Sequence, residues 1–277
     1  MATMRENNPP MSEAHAREIM NATVEVAREV FGSNLVGAFA LGSLAHGGFA
    51  PEVSDIDIAL VLSEVDEQTA PLVDEVRGRI AARYTSPLAS RVSIFWADEE
   101  HVRTGKRGDV RLGPVDRLDL LDSGVLLYGL DSREPGIRPS REELILAAAE
   151  FAAGKFTQEY LSKTGVDLVA AGSRDASKFV LFPVRFLYTL ESGNIGKNEA
   201  AANWYVESGG PSQRLVEAAT AWREEGIGDP SEAAELIDSE ADGLFEEFFE
   251  AYSQAGPAVL PEALRQRFQE AAEYLRH

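Results

Sequence analysis

The 277-residue sequence contains no cysteine, so disulfides, thiolate nucleophiles and cysteine-based zinc sites are excluded. Histidine is nearly as scarce. His15, His46, His101 and His277 are the only four, too scattered to predict a histidine metal cage. Basic residues are few: 26 lysines and arginines stand against 46 acids, for a formal charge of −20. A surface of that sign repels phosphate backbones and anionic lipid, so neither a nucleic acid nor a membrane is expected as partner. No apolar run reaches the ~18 residues of a membrane span, and Met1–Pro10 lacks the apolar core of a signal peptide. These absences predict a cytoplasmic protein. What is present, 44% hydrophobic and 26% charged residues, is globular composition in a length that suits two domains.

Ser12, following Pro9-Pro10, is placed to cap a helix with Ile19, Val24, Val26, Val30 and Phe31 on its apolar face, ended by Gly32. Leu35–Leu41 is an apolar run of strand length stopped by Gly42-Ser43, and Ile56–Leu62 reads as a central strand. A helix over Glu67–Tyr84 and strands over Arg91–Trp96 and Gly124–Tyr128 complete an α/β domain, residues 1–135. After Pro135-Gly136 the pattern turns helical, opened by the capping box Ser140-Arg-Glu-Glu143. Breaks follow at Gly172, Gly193, Gly209-Gly210-Pro211, Gly228-Asp-Pro230 and Gly256-Pro257, so residues 136–277 predict an all-α helical bundle. Twelve acids and no base lie between Arg223 and Arg265. They read as the solvated face opposite Ile237, Ala241, Leu244, Phe248 and Tyr252, the sharper alternative being a surface for a cationic ligand.

Chemistry concentrates where the first strand ends. Gly42 lets backbone approach a ligand closely, and the Gly42-Ser43 turn precedes backbone N–H groups suited to phosphate. Eleven residues separate Ser43 from Asp55, and Asp55 and Asp57 stand two apart at the start of the next strand, so their side chains share one face. Paired carboxylates beside a phosphate cradle suit Mg²⁺, which takes oxygen ligands and bridges to substrate phosphates. Asp-x-Asp alone more often faces water; the combination with Gly-Ser, spacing and strand context is far more specific.

This constellation resembles the signature of the polymerase-β-like nucleotidyltransferases. The segment Ser177–Trp204, with its helical arginine, Gly193-Asn-Ile-Gly-Lys197 and Ala-Ala-Asn-Trp204, is similar to the helical domain of streptomycin and spectinomycin adenylyltransferases. The resemblance covers most of the chain. It implies an α/β nucleotidyltransferase domain with a mixed sheet, then a helical domain, with ATP and an acceptor bound between them. It further implies that Asp55 and Asp57 hold Mg²⁺, that Gly42, Ser43 and Ser54 lie near the phosphates, that Arg185 and Lys197 reach the triphosphate, and that Trp222 lies against the nucleotide. The implied activity moves AMP from ATP to a hydroxyl of a small, cationic acceptor such as an aminoglycoside, as in antibiotic resistance. Lys197 has support of its own: it is a lone lysine at a helix start after Gly193-Asn-Ile-Gly196. Arg185 reads equally as an amphipathic residue lying along a helix surface.

Two departures stand out. The family's third carboxylate, the general base, belongs on the strand after Asp-x-Asp, and there this sequence has Arg91. Asp98, Glu99 and Glu100 read as a turn at that strand's end, with Asp116 and Asp119 as unplaced candidates. The streptomycin-contacting loop also has no counterpart; only Asp175 matches an acceptor-binding aspartate. A catalytically reduced nucleotide-binding protein, or transfer to a protein or tRNA, are the alternatives. His101 is expected to be solvated, His46 to serve a turn, and Trp96 and Trp204 to be core residues.

Overall fold

The structure, a computed structural model, describes residues 11–106, 108 and 110–276; Met1–Pro10 and His277 lie outside them. The chain divides into two compact units, the first ending at Arg138 and the second starting at Pro139.

In the first unit, helix α1 (Glu13–Phe31) begins where Ser12 Oγ accepts from the His15 N–H at 3.2 Å. It is followed by β1 (Leu35–Leu41), the short helix α2 (Gly42–His46), β2 (Ile56–Leu62), α3 (Thr69–Arg83), β3 (Val92–Asp98), α4 (Glu99–Thr104), α5 (Pro114–Ser123) and β4 (Val125–Gly129). The four strands form one mixed sheet in the order β3-β2-β1-β4. β1 runs antiparallel to β2 and β4, while β2 and β3 are parallel. A parallel step needs a crossover, and α3 supplies it.

Alternation along β2 sorts its side chains. Ile56, Ile58, Leu60 and Leu62 join α1 and α3 residues such as Ile19 and Ile80 in one cluster. Ala59 and Val61 belong to the opposite cluster, with Leu120 of α5. Each fully buried Ile or Leu here contributes about 1.5–3 kcal/mol. By the same period of two, Asp57 stands on the α5 face.

In the second unit, the capping box is formed: Ser140 Oγ accepts from the Glu143 N–H at 3.2 Å, and Glu143 Oε2 from the Ser140 N–H at 2.8 Å. It opens α6 (Arg141–Lys155), which stops well before the expected break at Gly172. Thr157 and Thr164 cap two further short helices, α7 (Gln158–Leu161) and α8 (Gly165–Ala171). Then come α9 (Ser173–Ser192), α10 (Asn198–Glu207), α11 (Gln213–Glu225), α12 (Pro230–Ser253) and α13 (Glu262–Leu275). The predicted α12 stripe is buried, and its aromatics carry the core. Phe248 meets Tyr252 at 4.7 Å between ring centroids and Phe156 at 5.4 Å. Among the described residues no helix is long and apolar enough to cross a membrane.

One polar pair sits at the edge of this core. The Tyr205 hydroxyl donates to Glu247 Oε2 at 2.6 Å. Burial pushes the Glu247 carboxyl above its ordinary 4.5, against the opposing effect of the Tyr205 bond. A raised folded value means the folded chain holds that proton longer. The associated stability is present below 4.5 and lost as pH climbs through the folded value. Relative to wild type, Glu247→Gln should therefore gain unfolding free energy between about pH 4 and about pH 7. Denaturant titrations at both ends check this, and a difference that does not change with pH rejects it.

Candidate active site

The sheet brings the end of β1 beside the start of β2, pairing Leu41 with Asp57. Immediately after Leu41 the chain turns at Gly42, whose φ of +60° lies in the left-handed region. A Cβ at Gly42 would overlap Asp57 Oδ2, so only glycine lets the turn lie against that carboxylate. Asp55 precedes β2 by one residue, on the same side of the strand as Asp57. Both are half-exposed. Ser43 follows at the second position of α2. Ser54 is buried, and its Oγ accepts from the Ala50 N–H at 3.0 Å, closing the turn that delivers Asp55.

Asp119 joins this corner from α5. Its Oδ2 accepts from the Gly42 N–H at 2.7 Å. The residue is 8% exposed, and its Oδ1 is buried with no hydrogen-bond partner. Sequence reasoning named Asp119 without placing it. No local signal could have done so, because it meets a glycine 77 residues away.

On the other flank, β3 pairs Val92 with Ile56 and Ser93 with Asp57. Arg91 ends the turn just before β3, and its guanidinium donates to the Pro51 carbonyl at 2.9 Å. Asp98 does not form a simple turn: its carboxylate accepts from the His101 N–H at 2.7 Å and caps α4, with Glu99 and Glu100 in the first turn. His101 is buried rather than solvated. Its Nδ1 lies 2.6 Å from the Lys106 carbonyl and its Nε2 2.8 Å from that of Leu112, contacts that reward desolvation of the ring.

In the second unit, Arg185 and Lys197 are brought together by Gly196. A Cβ on Gly196 would overlap the Arg185 backbone, and Arg185 Nε donates to the Gly196 carbonyl at 2.5 Å. Lys197 follows directly, at the residue preceding α10. Trp222 is 8% exposed within the helical core, so little of its ring surface is accessible. Trp204 and Trp96 are half-buried against their respective cores rather than enclosed. Asp175 is exposed in the first turn of α9. Burial and Lys163 push the Lys155 ammonium below its ordinary value, Asp175 opposes them, and Arg174 adds to the lowering.

Among the described residues no three His, Cys, Asp or Glu side chains form a ready cage for a metal ion. Mg²⁺ needs only one or two carboxylates when substrate phosphates and water complete its shell, and Asp55 with Asp57 fits that requirement.

No protein-family model matches the sequence, and no curated protein matches it. Among solved structures, it is similar to spectinomycin adenyltransferase AAD(9) from Enterococcus faecialis, crystallised with ATP and spectinomycin. The TM-score is 0.54 at 16% identity, over 82% of this chain and 98% of that one. The chain shares the fold of that adenyltransferase, a mixed-sheet α/β unit followed by a helical one. The first unit holds Asp57 at the second residue of the inner strand β2 with Asp55 one residue ahead of that strand, and the second unit holds Arg185 in α9 and Lys197 just before α10.

Proposed function

We propose that the chain transfers AMP from ATP to a hydroxyl group of a small molecule. The carrying observation is the corner where Asp57 lies against Gly42, with Asp55 beside it on the same face. In the reaction the acceptor oxygen attacks the α-phosphorus, and the bond from that phosphorus to the pyrophosphate oxygen breaks. Pyrophosphate leaves with the electron pair, and the acceptor proton passes to solvent. Asp55 and Asp57 would hold Mg²⁺, which when bound neutralises charge on the phosphate oxygens. Gly42, Ser43 and Ser54 shape the surface beside the phosphates. Arg185 and Lys197 supply positive charge to the triphosphate through charge-assisted hydrogen bonds. Trp222, largely buried, offers the nucleotide little surface.

The net charge of −20 favours a cationic acceptor, with an amino-sugar as first candidate, and antibiotic modification in the cytoplasm as the use. Asp175 already acts on the Lys155 ammonium, so neutral and acidic hydroxyl compounds belong in the same test. A second reading, a nucleotide-binding protein without turnover, is favoured by Arg91 standing just before β3, where the resemblance would place a carboxylate base.

Mass spectrometry separates the two. Incubation with ATP, Mg²⁺ and a panel of amino-sugars, neutral polyols and hydroxy acids should yield one acceptor heavier by a single adenylyl group, with stoichiometric pyrophosphate. ATP binding without any adenylylated small molecule would leave the second reading standing in place of the first.

A further inference from the structure

Asp119 is costly to keep. A buried carboxylate that receives a single N–H leaves most of its hydrogen-bonding capacity unmet, and burying an ionic group this way works against folding. Asp119 does not cap its own helix, since it sits inside α5; its one bond satisfies the free N–H at the start of α2. Holding the Gly42 N–H does not require a charge either, since an asparagine carbonyl would accept that bond equally well. What the charge does is set a second anion on Gly42, across the glycine from Asp57. Neither carboxylate relieves the other. A cation beside Asp57 relieves both.

We infer that Asp119 is a positioning residue for the Asp55–Asp57 pair, fixing the Gly42 turn against Asp57 and adding negative potential behind it that draws a divalent cation. This rests on the proposed role of that pair as the seat of the metal. Two observations carry it independently of the pair itself: the 2.7 Å bond from the Gly42 N–H, and the buried, unpartnered Oδ1. Asp119 acts through Gly42 and through its field.

The test is Mn²⁺ alone, titrated into the full chain without nucleotide, with free Mn²⁺ read by electron paramagnetic resonance. Melting temperatures are measured alongside. Asp119→Asn keeps an acceptor for Gly42 but loses the charge, and should weaken Mn²⁺ binding by about tenfold with little change in melting temperature. Asp119→Glu restores the charge and should recover most of the affinity, whereas Asp57→Asn should lose more than either. If Asp119→Asn folds poorly, Asp119→Glu against Asp119→Gln makes the same charge comparison, and equal affinities would overturn the inference. Asp119→Asn binding within about twofold of wild type would also overturn it, reducing Asp119 to a structural clamp. A wild-type chain that binds no Mn²⁺ removes the metal seat and this inference with it. Wild-type binding that is insensitive to Asp119 removes this inference alone.

Discussion

Asp57→Asn should lower adenylyl transfer by about 10³-fold or more, because losing a metal-holding carboxylate forfeits several kcal/mol of stabilisation of the developing phosphate charge. The fold should be spared. Asparagine has the same shape, the side chain is half-exposed, and the oxygen that lies against Gly42 has an isosteric replacement. Asp55→Asn should behave alike, since it sits on the same face one residue ahead of β2. Pyrophosphate release by purified protein, alongside circular dichroism, makes the comparison. Wild-type turnover in either variant would remove the pair from the chemistry. Lost turnover with lost structure would instead show that the corner holds the sheet together.

The largest expected loss of stability lies in the second unit. Phe248 is 0% exposed and its ring meets those of Phe156, Phe186, Phe249, Tyr252 and Phe268. Phe248→Ala removes dispersion contacts on every side and opens a cavity that α12 cannot close by moving, since Phe245, Phe249 and Tyr252 anchor it. The cost should be about 3–5 kcal/mol. Denaturant unfolding followed in the far ultraviolet, where the helical unit dominates the signal, measures it. A loss below about 1 kcal/mol would mean the aromatic cluster is loosely packed.

Both variants act on residues whose local setting is legible without coordinates. Asp55 and Asp57 share a face because strand side chains alternate. The α12 stripe repeats at helical spacing, and Ser140 with Glu143 forms a capping box from neighbours in the chain. Each signal is short-range, so amino-acid order alone carries it. The same holds for β1, β2 and the helix breaks at Gly193 and Pro230, where backbone freedom or its loss belongs to the residue itself.

Other features were decided only when distant segments met. The end of α6 at Lys155 follows a single glycine, Gly154, too weak a signal alone to mark a break; threonine caps at Thr157 and Thr164 restart the helices. His101 follows an acidic run and reads as solvated, yet backbone carbonyls at Lys106 and Leu112 converge on its ring. The strand order β3-β2-β1-β4, which sets Ser93 beside Asp57, depends on a crossover that periodicity does not describe. Asp119 is the sharpest case. In sequence it is one acid among 46, and only the packing of α5 against β1 delivers its carboxylate to the Gly42 N–H. Amino-acid order by itself determined the two-part α/β and helical plan and the Asp55–Asp57 pair, because both rest on periodicity within a few residues. The surroundings of that pair were left to tertiary structure, because burial and charge at a site are properties of everything that packs there.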